Sequence, residues 1–594
     1  MLSDTDKKLE QSSPLLMIQF LPMAGKTHSL QSLIRSLAPS LPRDTRKWNI
    51  LLDWPPDIFG IAAYVLHKTG AYRHVVSNRW WKTTQKKHAE KMTELGARWL
   101  DAVARKRQAP ASVRGLWNKI MAGLQLPVLE LDRDENKDMV AALLDLLAIA
   151  DSACVQFGLP PKKPLGRSGA GKLLSDVLRR AEELLFGLHV ADGTSTLAMH
   201  IDPLMLCVLP KTRTPQTGLT IRSLSHHLAI WPRDETSPYW NVLFTEQSQW
   251  EASRFNLLLV PWPYEIKPDQ FSASDDARCG RHFMDEHFRC FDYTPPDSMD
   301  WIEKTLPSLL DTAVNKTNED ALHGVVFPEL AFRNATEFSA AYRQVQKVCP
   351  GAFLLAGVAE DDSPEPQAGN HAWFAAPLIG GDDVIFTQAK HHRWQLNEPQ
   401  IQRYHLTKRL QTAKLWWESS PIAPRSQLLL ALKPWMAFSF LICEDLARQE
   451  PAARLLRSIG PNLIIALLLD GQQLEHRWPG RYASVLAEDP GSSVLTLTSL
   501  GMVVQGKTTA ENAQEVKWKK EHPGDRHRTC NIGLWRDFEG STTPVAIDQE
   551  DHGVVLSLKR LEIDEYSADG RKSKASALVI KYPEKDIIPV RLVK

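Results

Sequence analysis

The stretch from Ala437 to Leu446, AFSFLICEDL, indicates the fold class of the chain. Its apolar run is typical of a buried strand that reaches Cys443, after which two acidic residues turn the chain toward a helix. Similar short apolar runs recur before and after it, at 227–231, 256–262, 324–328, 353–358 and 462–469. Helix-like segments separate several of these runs, including 299–314 and 452–459. Strands that alternate with helices predict an α/β domain whose strands are buried.

The part of the chain before this pattern is predicted to be a helix-rich mixture. Segments 138–157 and 171–188 carry apolar residues at three- and four-residue spacing, which is typical of amphipathic helices. The short run Trp48–Leu52, WNILL, predicts a buried strand among these helices.

A segment rich in proline and threonine, Pro210–Gly218 (PKTRTPQTG), predicts an exposed linker between two domains. The length of 594 residues is compatible with two to four domains at about 150 residues each. We therefore place a helix-rich mixed domain at residues 1–215 and an α/β domain at residues 216–594. The extra length of the second domain is assigned to polar insertions at 272–297, 360–371 and 506–529.

The composition excludes several classes of protein. The 71 Lys and Arg residues balance 70 Asp and Glu residues, and 43% of the chain is apolar, which excludes a mostly disordered chain and a polybasic nucleic-acid coat. No apolar run approaches the ~18 residues that span a bilayer, so no membrane segment is predicted. The seven cysteines include no CxxC pair, so neither a zinc knuckle nor a disulfide framework is expected. We predict a reducing, cytoplasmic location.

Two further patterns in the sequence are not predicted to form a ligand-binding site. The histidine pairs 226/227 and 391/392 lack an HxxxH spacing, and adjacent side chains point in different directions, so no metal and no cofactor is predicted. The segment Arg79–Arg107 has nine basic and three acidic residues, with three tryptophans among them. We favour a solvated helix face whose tryptophans pack inward. Binding of nucleic acid or of an anionic surface is the alternative.

Three segments combine a strand with a chemically suitable residue at its end. Gly324–Leu330, GVVFPEL, brings Glu329 to the end of a buried strand, where a buried carboxylate must be paired or have a raised pKa. Val384–Glu398, VIFTQAKHHRWQLNE, brings Lys390 to the end of a strand-like run. Cys443 lies at a strand-to-helix elbow, exposed at the sheet edge, where backbone N–H groups can stabilise an oxyanion. Each segment alone also fits a structural role, as a strand-end charge facing water or an inert buried cysteine.

Taken together, FPEL, a strand-borne lysine with a glutamate eight residues later, and ICED resemble, in this order, the nitrilase (carbon–nitrogen hydrolase) superfamily. The resemblance continues after the cysteine. GPNLIIALLLDG (460–471) is similar to the family's strand after the nucleophile helix, and RYASVLAEDPGSSVLTLTSLG (481–501) to its next helix–strand unit. VAIDQEDHGVVLSLKRLEIDEY (545–566) is similar to the closing hairpin and final strand. The resemblance covers residues 220–570 and implies an α-β-β-α sandwich for the second domain.

The resemblance also implies a role for each site residue. Glu329 would be the general base, Lys390 the cation beside the oxyanion, and Cys443 the nucleophile. Glu398 would be the accessory second glutamate, and the backbone N–H of Glu444 would be the second oxyanion donor. These groups suit the chemistry, because a thiol with a pKa of about 8.5 is mostly protonated at neutral pH and needs a base or a neighbouring cation.

The function implied by the resemblance is hydrolysis of a non-peptide C–N bond through a cysteine thioester. An amide is preferred over a nitrile because most branches of the family cleave amides, and self-association through the sandwich domain is expected. The alternative is a regulatory or effector protein that uses this domain as a scaffold in a larger assembly. The N-terminal domain would then bind a protein or nucleic-acid partner. The sequence names neither the substrate nor the acyl acceptor.

Overall fold

The structure, a computed structural model, describes residues 28–76, 85–161, 169–185, 194–233, 236–243, 254–274, 288–317, 321–363, 367–378, 382–507, 517, 520–521 and 529–592. These residues form a mixed α/β protein, in agreement with the predicted class. The helices are, in chain order, α1 (Leu30–Leu37), α2 (Pro55–Thr69), α3 (Gln85–Ala104), α4 (Ala111–Ala122), α5 (Lys137–Ala153), α6 (Gly169–Leu185), α7 (Met299–Lys304), α8 (Leu306–Asn315), α9 (Ala335–Val348), α10 (Glu398–Arg403), α11 (Arg454–Ile459), α12 (Trp478–Glu488), α13 (Leu500–Gln505) and α14 (Pro583–Asp586). The strands are β1 (Cys207–Pro210), β2 (Leu228–Trp231), β3 (Ser237–Val242), β4 (Arg254–Leu259), β5 (Phe271–Ser274), β6 (Phe288–Tyr293), β7 (Leu322–Val326), β8 (Phe353–Glu360), β9 (Ala368–Pro377), β10 (Asp383–Ala389), β11 (Gln395–Leu396), β12 (Leu415–Glu418), β13 (Ser426–Lys433), β14 (Met436–Ile442), β15 (Leu463–Leu468), β16 (Ser493–Thr498), β17 (Cys530–Arg536), β18 (Thr542–Ile547), β19 (Gly553–Tyr566), β20 (Lys572–Val579) and β21 (Ile587–Val590).

Two large sheets contain most of the strands. The first has the order β10-β9-β8-β7-β4-β19-β20, with β21 beside β19, and the second has the order β18-β17-β16-β15-β14-β13-β3. In the first sheet β4, β7 and β8 are parallel, and in the second β14, β15 and β16 are parallel. Two smaller sheets have the orders β11-β12-β6-β5 and β1-β2. The carboxyl ends of the parallel strands therefore lie side by side in each large sheet.

The first sheet is apolar on both faces, because successive side chains of a strand point in opposite directions. On one face Val325 belongs to a core that includes residues of α8 and α9. On the other face Val326 belongs to the core that the second sheet also joins. There the ring centroids of Phe353 and Phe438 lie 5.7 Å apart, one residue from each sheet. In the second sheet, α12 packs against β16 and β17.

The N-terminal residues form the predicted helices but not the predicted strand. Helices α5 and α6 confirm that both segments are helical, but α5 is buried on nearly every side from Ala142 to Ala153 and is not amphipathic. Trp48–Leu52 lies in a 3₁₀-helix, Thr45–Asp53, so the strand prediction is wrong. Asp44 caps this helix, and Trp48 and Leu51 are both buried. The three-residue spacing of these two side chains suits a 3₁₀ turn, and a five-residue apolar run does not distinguish it from a strand.

The basic segment of the N-terminal part contributes α3. Lys86, Lys87 and Lys91 are exposed on this helix. Trp99 is fully buried, and its indole N–H donates to the Leu52 carbonyl at 3.0 Å. The expected inward packing is therefore confirmed for Trp99. The other two tryptophans of the segment, at 80 and 81, lie outside the described residues.

Residues 210–215 are not part of an exposed linker, so that prediction is wrong for most of the segment Pro210–Gly218, and only residues 216–218 are exposed. Pro210 ends β1, and Arg213 and Thr214 are buried. The Arg213 guanidinium donates to Glu565 at 2.7 Å, and the Thr214 backbone N–H donates to the same carboxylate at 2.8 Å. The Thr214 hydroxyl donates to the Ser225 carbonyl at 3.1 Å, and the Lys211 ammonium to the same carbonyl at 2.7 Å, so these groups are satisfied inside the protein and not by water.

Cysteine pairing departs from expectation at one position. Cys290 is disulfide-bonded, whereas Cys154, Cys349 and Cys443 are reduced thiols. In the described ranges, no helix is both long enough and apolar enough to cross a bilayer.

A buried ion pair joins α5 to the loop between β19 and β20. Arg571 donates to Asp151 at 2.8 Å, to the Ala148 carbonyl at 2.9 Å and to the Leu224 carbonyl at 2.6 Å. Asp151 also accepts the backbone N–H of His226 at 2.8 Å. Burial alone would raise the pKa of Asp151, but the charge of Arg571 and the neighbouring histidines lower it, so the carboxylate stays ionised. The N-terminal helices are thus fixed to the C-terminal strands.

We expect Arg571→Lys to lower the free energy of unfolding by about 1–3 kcal/mol, because lysine keeps the charge but loses carbonyl hydrogen bonds that a guanidinium makes. Denaturant unfolding of the full chain measures this change. Arg98→Lys is the control: Arg98 lies on the exposed face of α3, 4.0 Å from Glu94, and its replacement should change stability by less than about 0.5 kcal/mol. Equal stability of the two variants would contradict a structural role for the buried pair.

Candidate active site

Three predicted site residues lie at strand ends. Glu329 follows β7 after two residues, Lys390 directly follows β10, and Cys443 directly follows β14. Strands β7 and β10 belong to the first sheet and β14 to the second. Because the two sheets pack face to face, residues from both contribute to one region of the molecule.

The turn that carries Glu329 is held against β8. The Gly357 backbone N–H donates to the Pro328 carbonyl at 3.0 Å, and the Gly357 carbonyl accepts from Ala331 at 2.9 Å. A Cβ atom on Gly357 would lie 2.2 Å from the Leu330 nitrogen and 2.5 Å from the Glu329 Cα atom. Only glycine therefore allows the turn to approach the strand this closely.

Two carboxylates and an amide surround the lysine. Lys390 Nζ donates to Glu329 at 2.7 Å and to Glu418 at 2.6 Å. Asn370 Nδ2 also donates to both carboxylates, at 2.8 Å and 2.7 Å. All four side chains are buried. One ammonium group against two carboxylates leaves this Glu–Lys–Glu cluster with a negative charge when both acids are ionised.

The two carboxylates of the cluster differ in proton affinity. Burial and the charge of Glu418 raise the pKa of Glu329 more than Lys390 lowers it. Burial also opposes ionisation of Glu418, but Lys390, Asn370 and the Trp394 backbone N–H lower its pKa below the usual value. Glu329 Oε2 has no hydrogen-bond partner among the described residues. Glu329 therefore has the higher proton affinity of the two carboxylates, and Glu418 is the one more readily ionised beside Lys390.

Cys443 adopts an unusual backbone conformation beside this cluster. Its φ of 46° lies in the left-handed region, which non-glycine residues rarely occupy and which is often found at functional sites. Burial and the charge of Glu329 raise the pKa of the thiol, and Lys390 opposes them. The expected exposure at the sheet edge is wrong, because Cys443 is 1% exposed and belongs to the main apolar core.

Asp445 ties the turn after Cys443 to the segment after Lys390. Its buried carboxylate accepts the backbone N–H of His391 at 3.0 Å and that of His392 at 2.9 Å. The turn after β14 in one sheet and the lysine-bearing strand end of the other are therefore linked by hydrogen bonds.

Glu398 does not reach the cluster, so its assignment as the second glutamate is wrong. It is exposed in the first turn of α10, where it accepts from Gln402 at 3.1 Å. The Asn397 side chain caps this helix and so starts it at Glu398. Glu418, the last residue of β12, occupies the place expected for Glu398. The feature of the sequence that could have indicated Glu418 is its place directly after two tryptophans, at the end of the short strand LWWE.

Two further residues lie at the site, and only the second was predicted. Asn370 lies in β9, partly within the segment 360–371 interpreted as a polar insertion, which hides its role from the sequence. Glu444 directly follows Cys443 in a 3₁₀ turn, and its side chain pairs with Arg448 at 2.9 Å. The oxyanion role of the Glu444 backbone N–H stays a prediction.

A cavity of about 340 Å³ borders the cluster, and we call it the active-site cavity. Its walls include the carboxylates Glu329 and Glu418 and, from β6, Asp292 and Tyr293. Strand β6 lies within the predicted insertion 272–297, so that segment is in part a wall of the cavity. Cys443 is not among the described residues that line it. The cavity therefore reaches the acid–base end of the cluster.

The histidine pairs have structural partners. One ring nitrogen of His391 is hydrogen-bonded to the Ser426 carbonyl at 2.7 Å, and one of His226 to the Thr214 hydroxyl at 2.9 Å. Across the part of the chain that the structure describes, no three His, Cys, Asp or Glu residues are grouped as metal ligands.

The chain is similar to solved structures over about half of its length. An amidase of the nitrilase superfamily from Nesterenkonia AN1 is 13% identical, and the match covers 51% of this chain and 90% of the amidase, with a TM-score of 0.29. Saccharomyces cerevisiae Nit3, a member of branch 10 of the nitrilase superfamily, is 12% identical over 55% of this chain and 90% of its own, with a TM-score of 0.28. A glutamine-dependent NAD⁺ synthetase from Acinetobacter baumannii is 11% identical over 56% of this chain and 48% of its own, with a TM-score of 0.30. No protein-family model and no curated protein sequence matches the chain.

Proposed function

We propose that the chain hydrolyses a non-peptide C–N bond through a thioester on Cys443, and that its substrate is an amide in preference to a nitrile. The observation that carries the proposal is the buried Glu–Lys–Glu cluster beside a thiol held in a left-handed conformation. Two face-to-face sheets with helices packed on them support a nitrilase-like α-β-β-α sandwich. We keep the division at residues 1–215 and 216–594, with the first part docked on the second.

Acylation begins with the thiol proton. Glu329, whose Oε2 has no partner among the described residues and whose pKa is raised, accepts the proton of Cys443. The Cys443 sulfur attacks the amide carbon, a C–S bond forms, and the carbonyl π electrons move to oxygen. Lys390 and the backbone N–H of Glu444 stabilise this oxyanion. The intermediate then collapses, the C–N bond breaks, and the amine leaves with the proton from Glu329.

Deacylation repeats these steps with water. Glu329 accepts a proton from the water that attacks the thioester, and a second oxyanion forms. Its collapse breaks the C–S bond, releases the acid product and returns the proton to Cys443. Glu418 keeps Lys390 ionised and in place throughout, through the 2.6 Å contact. Transfer of the acyl group to an amine would use the same residues.

A second candidate function has one observation in its favour. Cys443 is 1% exposed and does not line the active-site cavity among the described residues. A thiol that no substrate reaches fits a regulatory or effector protein that uses the domain as a scaffold. Self-association and a protein or nucleic-acid partner for the N-terminal part remain predictions under either function.

Alkylation by iodoacetamide, located by peptide mass spectrometry, separates the two functions. We expect Cys443 to be labelled, at a rate that rises from about pH 7 to about pH 9, because its raised pKa keeps the thiolate fraction small at neutral pH. Lys390→Met should slow labelling roughly tenfold, since it removes the cation that lowers the thiol pKa. Cys349 is the internal control: burial and Asp311 raise its pKa to about 12 with no cation opposing them, so it should be labelled much more slowly than Cys443. Labelling of neither cysteine would favour the scaffold.

A further inference from the structure

The cations at the active-site cavity are already matched by carboxylates. Arg333, on the cavity wall, pairs with Glu337 at 2.9 Å and also with Asp297. Lys390 is shared between the two glutamates of the cluster. Each of these cations therefore has two acidic partners and no charge left over for an anionic ligand.

Asp292 is the exception among the charged groups of the cavity. Its half-buried carboxylate lines the cavity and accepts a hydrogen bond from the Ser419 hydroxyl. Among the described residues no Lys, Arg or His forms a salt bridge with it. A carboxylate at the wall of a cavity without a counter-ion attracts a cationic ligand.

The charges around the cavity sum to a negative value. Three carboxylates line the cavity, Asp292, Glu329 and Glu418, and two more, Asp297 and Glu337, are the partners of Arg333 on its wall. The cations are Lys390, Arg333 and Arg393, the last of which donates to the Ser420 carbonyl at 2.7 Å. The excess of carboxylates remains even when Glu329 carries a proton. Among the described groups, the field in the cavity therefore attracts cations and repels anions.

Two buried polar atoms at the cavity also lack partners among the described residues. These are Glu329 Oε2 and the Tyr293 hydroxyl, and both residues line the cavity. Buried polar groups are almost always hydrogen-bonded, so a ligand that supplies N–H groups would complete this wall.

We propose that the active-site cavity selects amides that also carry an ammonium or guanidinium group, and that Asp292 is the residue that binds this cation. The substrate class rests on the proposed hydrolase function, whereas the binding of a cationic amide at Asp292 does not require turnover. An anionic amide would be repelled by the negative charge of Asp292, so the same residue discriminates against it.

The test compares 4-aminobutanamide and 6-aminohexanamide with pentanamide, which is neutral, and succinamate, which is anionic. Ammonia release should show the highest kcat/KM for a cationic amide, and Asp292→Asn should lower that value about 10- to 100-fold, mainly through KM, as for loss of a charged hydrogen bond. The fold should persist in this variant, because the new amide oxygen can still accept from the Ser419 hydroxyl. Asp300→Asn is the matched control: Asp300 is an exposed acid of α7 that pairs with Lys304, and its replacement should leave kcat/KM unchanged for every amide.

Binding is measured separately, so that the two proposals can fail independently. Calorimetry on the full chain carrying Cys443→Ala should show saturable binding of a cationic amide, weaker binding of pentanamide and no binding of succinamate. Asp292→Asn in the same background should abolish the preference for the cationic amide. If the Cys443→Ala variant binds a cationic amide but the wild type releases no ammonia from it, the proposed hydrolase function is overturned and this inference stands. Equal binding of the cationic and neutral amides, or no binding of either cationic amide, would overturn the inference.

Discussion

Cys443→Ala abolishes ammonia release from amide substrates, with an expected fall in kcat on the order of 10⁴–10⁶, the size seen when a covalent nucleophile is removed. The reason is that Glu329 and Lys390 assist attack by the thiol but form no bond to carbon themselves. Alanine is close in volume to cysteine and fits the same apolar surroundings. The free energy of unfolding should therefore change by no more than about 1–2 kcal/mol. Steady-state ammonia release and denaturant unfolding measure the two quantities.

Cys349→Ala is the matched control, because Cys349 is also a buried thiol but lies away from the cluster, at the end of α9. It should keep wild-type turnover. Intact-mass measurement after mixing wild type with substrate should detect an acyl adduct, and the Cys443→Ala variant should show none. Wild-type turnover in the Cys443→Ala variant would exclude the thioester pathway.

The positions of the three strand-end residues could be predicted because each follows a run typical of a strand, although β7 and β14 are buried and the edge strand β10 is only partly buried. Lys390 and Cys443 directly follow β10 and β14, and Glu329 follows β7 after two residues. This signal is local, since burial of a strand requires several consecutive apolar residues. Convergence of the three ends depends on how the sheets pack, and it was expected only through the family resemblance.

The second carboxylate could not be predicted, because its partner is distant in sequence. Glu398 lies eight residues after Lys390 and is the glutamate that the family resemblance implies, but it lies exposed in the first turn of a helix that Asn397 caps. Glu418 lies 28 residues after Lys390, in a strand of a different sheet. A tertiary hydrogen bond of this kind leaves no periodic pattern in the sequence.

The linker prediction failed for a related reason. Pro210–Gly218 has the composition of a loop, and its polar groups would cost free energy if buried without partners. Glu565 supplies those partners for Arg213 and Thr214 from the far end of the chain. The composition of a segment shows how many polar groups require hydrogen-bond partners. Whether water or a distant residue supplies those partners depends on the tertiary structure.

Glu418→Gln should lower kcat by about 10²–10³, comparable to the loss of one oxyanion-stabilising group, because it weakens the hold on Lys390. Glutamine keeps the volume and one acceptor but removes a charge. Its amide group would also place a donor near Lys390 or the Trp394 N–H, both of which are donors. Glu398→Gln, a matched substitution in an exposed position, should leave kcat and KM at their wild-type values.

The pH profile gives a readout that a purely structural defect would not produce. Glu329 must be ionised to act as a base, so activity is lost as the pH falls through its raised pKa. The charge of Glu418 contributes to that raised pKa, after burial and against the opposing effect of Lys390. Removing the charge lowers the pKa of Glu329, so the acid limb of kcat/KM should move to lower pH in Glu418→Gln even though the maximum rate falls. An unshifted acid limb with normal kcat in Glu418→Gln, together with a large loss in Glu398→Gln, would return the second-glutamate role to Glu398.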